Sequence, residues 1–130
     1  MKHKVFVYGS LRKGLGNHGH LAGSHFLGDA ALKNHDMHDY GYFPAIVQGS
    51  GTVQGEVYEV GDRTLHRLDL LEGHPKFYVR VRAWVTGQEI GDGELVWVYI
   101  MQPEKVDGMT KVDGGDWVAY RRRQPNTMFH

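Results

Sequence analysis

Cysteine is absent from this 130-residue sequence, which removes disulfides, a thiolate nucleophile and every Cys-type zinc or iron–sulfur site. An excess of charge is missing as well, since fifteen basic side chains face fifteen acidic ones. That balance argues against an extended phosphate-binding or anionic-membrane surface, so neither nucleic acid nor membrane is expected as a partner. Long apolar runs are also lacking. The run Val5-Phe6-Val7-Tyr8 is far too short for a signal peptide or a membrane span, and a soluble, cytoplasmic domain is the expectation. Internal repeats, low-complexity segments and linker-like stretches are absent, and the length suits one domain over residues 1–130.

What is present begins with glycine: 18 residues, about 14% and roughly double the usual share, imply many tight turns. Hydrophobic residues at 41% and charged residues at 23% match a globular chain. The nine histidines are scattered, and His18, His20 and His25 are their only dense group. No Asp or Glu lies between those three to complete a coordination shell, so no metal is expected.

Residues 4–8 read as a first strand closed by Gly9. Residues 9–28 hold too many glycines for a long helix, although His18 to Leu21 can form one short turn. Residues 36–42 are polar and aromatic, and residues 43–47 are extended after Pro44. Residues 52–60 alternate as a strand, in which Gly55 suits a sharp bend. Asp62 is a candidate N-cap for a helix carrying Leu65, Leu68 and Leu71, with Leu70 broadening the stripe. Gly73 and Pro75 stop it in the expected order. Residues 77–85 and 95–101 return to strands joined by a hairpin loop over 86–94. Beyond Pro103 the pattern fades, apart from Trp117-Val118. Several strands in strand–turn–strand order with one helix predict an α+β domain with a curved or barrel-like sheet. Regular βαβ alternation is missing, which argues against a doubly wound parallel sheet.

Tyr8-Gly9-Ser10-Leu11-Arg12-Lys13-Gly14 runs from a strand into a glycine-bracketed loop. Such a turn can aim successive N–H groups into a nest for a carboxylate or phosphate, with Arg12 and Lys13 raising the local potential; a plain turn with two solvated cations is the alternative. Gly14-x-Gly16-x-x-Gly19 matches the dinucleotide fingerprint in letters only, because no long helix follows it. Ser10 lacks the Gly-x-Ser-x-Gly elbow of a nucleophile. Glu72 stands at a helix C-terminus, where the partial negative charge disfavours it. That position raises a carboxyl pKa toward the range of a proton-shuttling base. The alternative is a solvated glutamate near His74 or Lys76. Tyr78 and Tyr99 read as half-buried strand tyrosines, Arg80 and Arg82 as solvent-facing, and Arg121-Arg122-Arg123 as a solvated tail without the aromatics of a nucleic-acid site.

Taken in order, Val7-Tyr8-Gly9-Ser10-Leu11-Arg12-Lys13-Gly14 with Asn17-His18, then Gly55-Glu56-Val57-Tyr58, then Leu68-Asp69-x-x-Glu72-Gly73-x-Pro75-x-x-Tyr78-x-Arg80, with Val98-Tyr99 as a weaker fourth, resemble the γ-glutamylcyclotransferase-like family. The resemblance is greatest to the γ-glutamylamine cyclotransferase branch and its small bacterial relatives, and it spans roughly residues 5–102; beyond Pro103 the match is loose. It implies a small mixed β-barrel flanked by helices, with one cavity. It further implies that Tyr8, Gly9, Ser10 and Leu11 present backbone amides to a substrate α-carboxylate, that Glu72 is the acid–base, and that Tyr78 lines the pocket. The implied reaction is cleavage of a γ-glutamyl amide to 5-oxoproline and an amine or amino acid, without metal or organic cofactor. The partner is then a small γ-glutamyl molecule, with the oligomeric state left open. Two rivals stand beside it: a binding module that holds a small anionic metabolite, and a protein whose histidines and basic tail contact another macromolecule.

Overall fold

The run at 5–8 is buried on both faces in a computed structural model, which describes residues 1–123; residues 124–130, His130 among them, lie outside the described part. Val5 and Val7 enter one hydrophobic cluster, and Phe6 and Tyr8 enter another. A strand with two buried faces reads as a continuous apolar run, which is the pattern of β1 (Lys2–Val7).

Four further strands surround it: β2 (His25–Asp39), β3 (Pro44–Gly61), β4 (Val79–Gly87) and β5 (Gly91–Ile100). They close into a barrel in the order β1-β3-β2-β4-β5. Every pairing is antiparallel except β1 with β5, which meet in parallel at Val5 and Trp97. All five strands send side chains into one cluster, including Phe6, Leu32, Ile46, Val53, Val57, Val85 and Val98, and this fills the barrel. The second cluster joins Val5, Val7, Tyr58 and Val60 to Leu65 and Leu68 of helix α1 (Asp62–Glu72). A short second helix, α2 (Trp117–Arg123), plants Trp117 in the barrel cluster. The fold is the expected α+β class, a small mixed barrel with flanking helices.

Several local expectations are corrected. The loop expected over 9–28 ends before His25, and β2 occupies positions with no clear alternation. Its register slips between Lys33 and His35, where Asn34 takes a left-handed backbone (φ 64°), so the buried set changes phase from Ala30 and Leu32 to Met37. Phe43 lies in the turn before β3, and residues 44–47 and 52–60 belong to that one strand. The glycines between them make room for the Asp36 carboxylate, which accepts the Gly51 amide at 2.9 Å. Gly55 serves close approach: a Cβ there would stand 2.3 Å from the Val7 carbonyl oxygen.

Helix α1 is capped by Gly61, and Asp62 is its first residue, paired instead with His3 at 2.5 Å. Leu65 and Leu68 are buried, but Leu70 is 69% exposed and Leu71 39%, so the apolar stripe is narrower than expected. Gly73 ends the helix in the left-handed conformation (φ 68°) that favours glycine. β4 starts at Val79 rather than at residue 77, and the hairpin turn is only residues 88–90. Arg80 is not solvent-facing, since it pairs with Asp69, whereas Arg82 is exposed. Arg121 to Arg123 are exposed, yet Arg121 donates to the Gly41 carbonyl at 3.3 Å and lies 5.4 Å from the Trp117 ring.

Candidate active site

Three segments meet around a cavity of about 270 Å³: the loop after β1, the turn into β3, and the end of α1 with the residues that follow. Its buried lining includes Tyr8, Tyr78 and Tyr99, and Tyr42, Leu71 and Phe77 are exposed at its rim. Tyr8, Gly9, Ser10, Leu11, Glu72 and Tyr78, distant in sequence, are all brought together here.

The loop is folded by its own backbone. The Arg12 amide donates to the Gly9 carbonyl at 2.9 Å, and the Asn17 amide donates to the Ser10 carbonyl at 2.9 Å. Asn17 Nδ2 donates to Ser10 Oγ at 2.8 Å, and His18 Nδ1 bonds the Leu11 carbonyl at 2.9 Å. The amides of Gly9, Ser10 and Leu11 meet no acceptor among the described residues. Three unpaired N–H groups beside a cavity are the donor set that an anion requires.

Glu56 fastens this loop from beneath and is only 5% exposed. It accepts the Lys13 amide and the Tyr58 hydroxyl, each at 3.0 Å, and the Arg12 guanidinium at 3.1 Å. Arg12 also reaches Asp116 at 2.9 Å. The expectation that Arg12 and Lys13 lend positive potential to the nest is therefore corrected. Arg12 is neutralised by two carboxylates, Lys13 Nζ sits 3.3 Å from the Phe26 ring centre, and neither lines the cavity.

Glu72 is the last residue of α1 and is half-buried at the cavity. Burial lifts its carboxyl from 4.5 to about 7, because water that would stabilise the charge is displaced. The direction agrees with the sequence reading, but the cause differs. The helix-end carbonyls of Asp69, Leu70 and Glu72 accept the amides of His74, Gly73 and Tyr78, which leaves burial as the operative effect. Among the described residues no hydrogen bond or ion pair reaches the Glu72 carboxylate, so the pairing with His74 or Lys76 is not formed.

Asp69, one turn earlier, is fully engaged. It receives Arg80 as a fork at 2.7 and 3.2 Å and the Tyr99 hydroxyl at 2.8 Å. The Tyr8 hydroxyl donates to the Tyr99 carbonyl at 2.6 Å, and the Tyr78 hydroxyl donates to the Pro44 carbonyl at 2.6 Å. Burial, above all, pushes all three phenols up and keeps them neutral. Their protons are held by the protein, so these tyrosines act as walls rather than proton donors.

Sequence reasoning does not single out Asn17, Phe43, Leu71 and Phe77 as cavity residues; the spacing of Phe77 beside Tyr78 is the one signal that points there. Among the described residues no group of three or more His, Asp or Glu is placed to hold a metal ion.

Residues 5–119 match the family described as "Gamma-glutamyl cyclotransferase, AIG2-like", and the chain belongs to it. It is 36% identical over 115 residues to the gamma-glutamylcyclotransferase family protein YtfP of Escherichia coli (strain K12), covering 88% of this chain and 96% of that one. An AIG2-like protein from Mus musculus superposes with a TM-score of 0.76 at 26% identity, covering 86% of each chain. YkqA from Bacillus subtilis superposes with a TM-score of 0.76 at 30% identity over 93% of this chain, which spans only 41% of that protein.

Proposed function

We propose that this protein is a γ-glutamylcyclotransferase acting in the cytoplasm without metal or organic cofactor. One observation carries the reading: a half-buried carboxyl lifted to about 7 shares a cavity with three unpaired loop amides. A γ-glutamyl amide supplies matching groups. Its α-carboxylate accepts the amides of Gly9, Ser10 and Leu11, which leaves the α-amine free to reach back to the γ-carbonyl. The amine lone pair forms the ring C–N bond, and the original amide C–N bond breaks. Glu72 takes the proton from the attacking nitrogen and returns it to the departing one. The products are 5-oxoproline and an amine or amino acid. Holding the chain folded makes the attack intramolecular, which is the main saving available without a cofactor.

The test is incubation with γ-glutamyl amines, γ-glutamyl amino acids and glutathione, with detection of 5-oxoproline. Release by the parent and its loss in Glu72→Gln support the proposal. Tight retention of such a compound without release overturns it in favour of a binding module.

A further inference from the structure

The solvent-reaching wall of the cavity is apolar. Tyr42 is 93% exposed, Leu71 39% and Phe77 36%, and Phe43 backs them. The rings are set as one cluster: Phe43 stacks on Tyr40 at 5.1 Å, and Phe77 meets Phe43 edge-on at 6.0 Å. Among the described residues no Lys, Arg or His lines this cavity, and Glu72 is the single acid. Lys105 lies against Phe77 but is already engaged. Its ammonium donates to the carbonyls of Lys76 and Phe77 and stands 5.5 Å from the Phe77 ring centre.

Resting on the γ-glutamyl reading above, we propose that the leaving group is an apolar, uncharged primary amine, selected by the Tyr42–Leu71–Phe77 wall. The substrate's α-carboxylate takes the three unpaired loop amides, and among the described residues no cationic side chain lines the cavity to take a second anion. A second carboxylate on the leaving group would lose water to aromatic carbon and face Glu72 without a cation. A cationic tail would pair with ionised Glu72 and lower its pKa, which weakens the base that must take the proton of the attacking amine. At Phe77 the same tail would meet the Lys105 charge. An alkyl or aryl chain leaves water for this wall with no such penalty.

The test uses three γ-glutamyl amides of matched length, made from n-pentylamine, 1,4-diaminobutane and γ-aminobutyrate, with kcat/KM followed by 5-oxoproline release. The pentyl compound is expected to exceed each charged one by at least ~10-fold, within the range that apolar pockets discriminate. Phe77→Ala and Leu71→Ala, both at partly exposed positions and checked by melting curves, should raise KM for the pentyl compound and leave its kcat near the parent value. Equal turnover of all three, or preference for a charged one, overturns the leaving-group inference while leaving the cyclotransferase reading standing. Release from none of them, with release from γ-glutamyl amino acids or glutathione, overturns this inference alone, and release from no γ-glutamyl compound overturns that reading and this inference together.

Discussion

Replacing Glu72 by Gln tests whether burial, rather than the helix end, lifts its carboxyl. Moving that group from 4.5 to about 7 corresponds, at about 1.4 kcal/mol per tenfold, to about 3 kcal/mol. The sign follows from linkage. Below pH 4.5 the side chain is protonated in both the folded and unfolded states and costs nothing. Between 4.5 and about 7 the unfolded chain ionises while the folded one holds its proton, so stability falls as pH rises. Above about 7 the full cost is present. Glu72→Gln removes a group that titrates and keeps its shape. The variant should match the parent near pH 4 and exceed it near pH 8, by about 1–3 kcal/mol once water at the half-buried site and the buried amide are counted. Urea unfolding of both proteins at the two pH values reads this directly, because other titrating groups cancel in the difference. A stability difference that is the same at both values would refute the burial argument. A helix-end effect alone would give only a few tenths of a kcal/mol. Turnover should fall by ~10²–10⁴-fold in the same variant, and the parent's kcat/KM should rise with pH through about 7 as Glu72 ionises.

Gly9→Val places a Cβ 2.9 Å from the Pro44 ring carbons, so it should raise KM more than Ser10→Ala does, and γ-glutamyl analogues without the α-carboxylate should bind poorly to the parent in calorimetric titration. Glu56→Gln leaves Arg12 with Asp116 alone and should cost about 3 kcal/mol in urea unfolding, the low end for a broken buried pair, with KM rising as the loop loosens. Leu68→Ala, at a fully buried position, should cost ~2–5 kcal/mol, whereas Leu70→Ala, 69% exposed, should stay within about 0.5 kcal/mol; equal costs would contradict the narrow apolar stripe.

The parts of the fold that were legible are those whose pattern a single physical rule governs. The run at 5–8 follows burial on two faces and the helix stop at Gly73 follows left-handed capping, while the alternation over 52–60 marks a strand even though Val57 and Tyr58 bury opposite faces of it. β2 was hidden because its alternation changes phase at Asn34, and a period-2 pattern broken by an irregularity leaves no continuous trace. The glycines at 49 and 51 interrupt the strand pattern for a related reason. They serve the Asp36 side chain, a contact made across the hairpin that local sequence does not record. In the site, Glu72 stood out because it breaks a local preference, and the 9–11 loop because glycine follows a strand. Arg12 could not be placed from sequence, since its partners Glu56 and Asp116 lie 44 and 104 positions away.

Asp69 and Glu72 show how one short helix assigns two carboxylates to two tasks. They lie three residues apart and so share a face of α1. Asp69 receives a guanidinium fork and a phenol, which ties α1 to β4 and β5. Because Tyr99 also accepts the Tyr8 hydroxyl through its carbonyl, the same network fixes the buried wall of the cavity. Three donors of the surrounding elements are used in this way: Arg80 by Asp69, Arg12 by Glu56, and the Tyr78 hydroxyl by the Pro44 carbonyl. Glu72 is left with burial and no partner, which is the condition that lifts a carboxyl toward neutrality. In its proposed role as a base that accepts and returns a proton, Glu72 thus depends on those donors staying engaged elsewhere. A change that frees one of those donors, such as Asp69→Asn releasing Arg80, should lower the pH at which activity rises, even though the residue changed never touches the substrate.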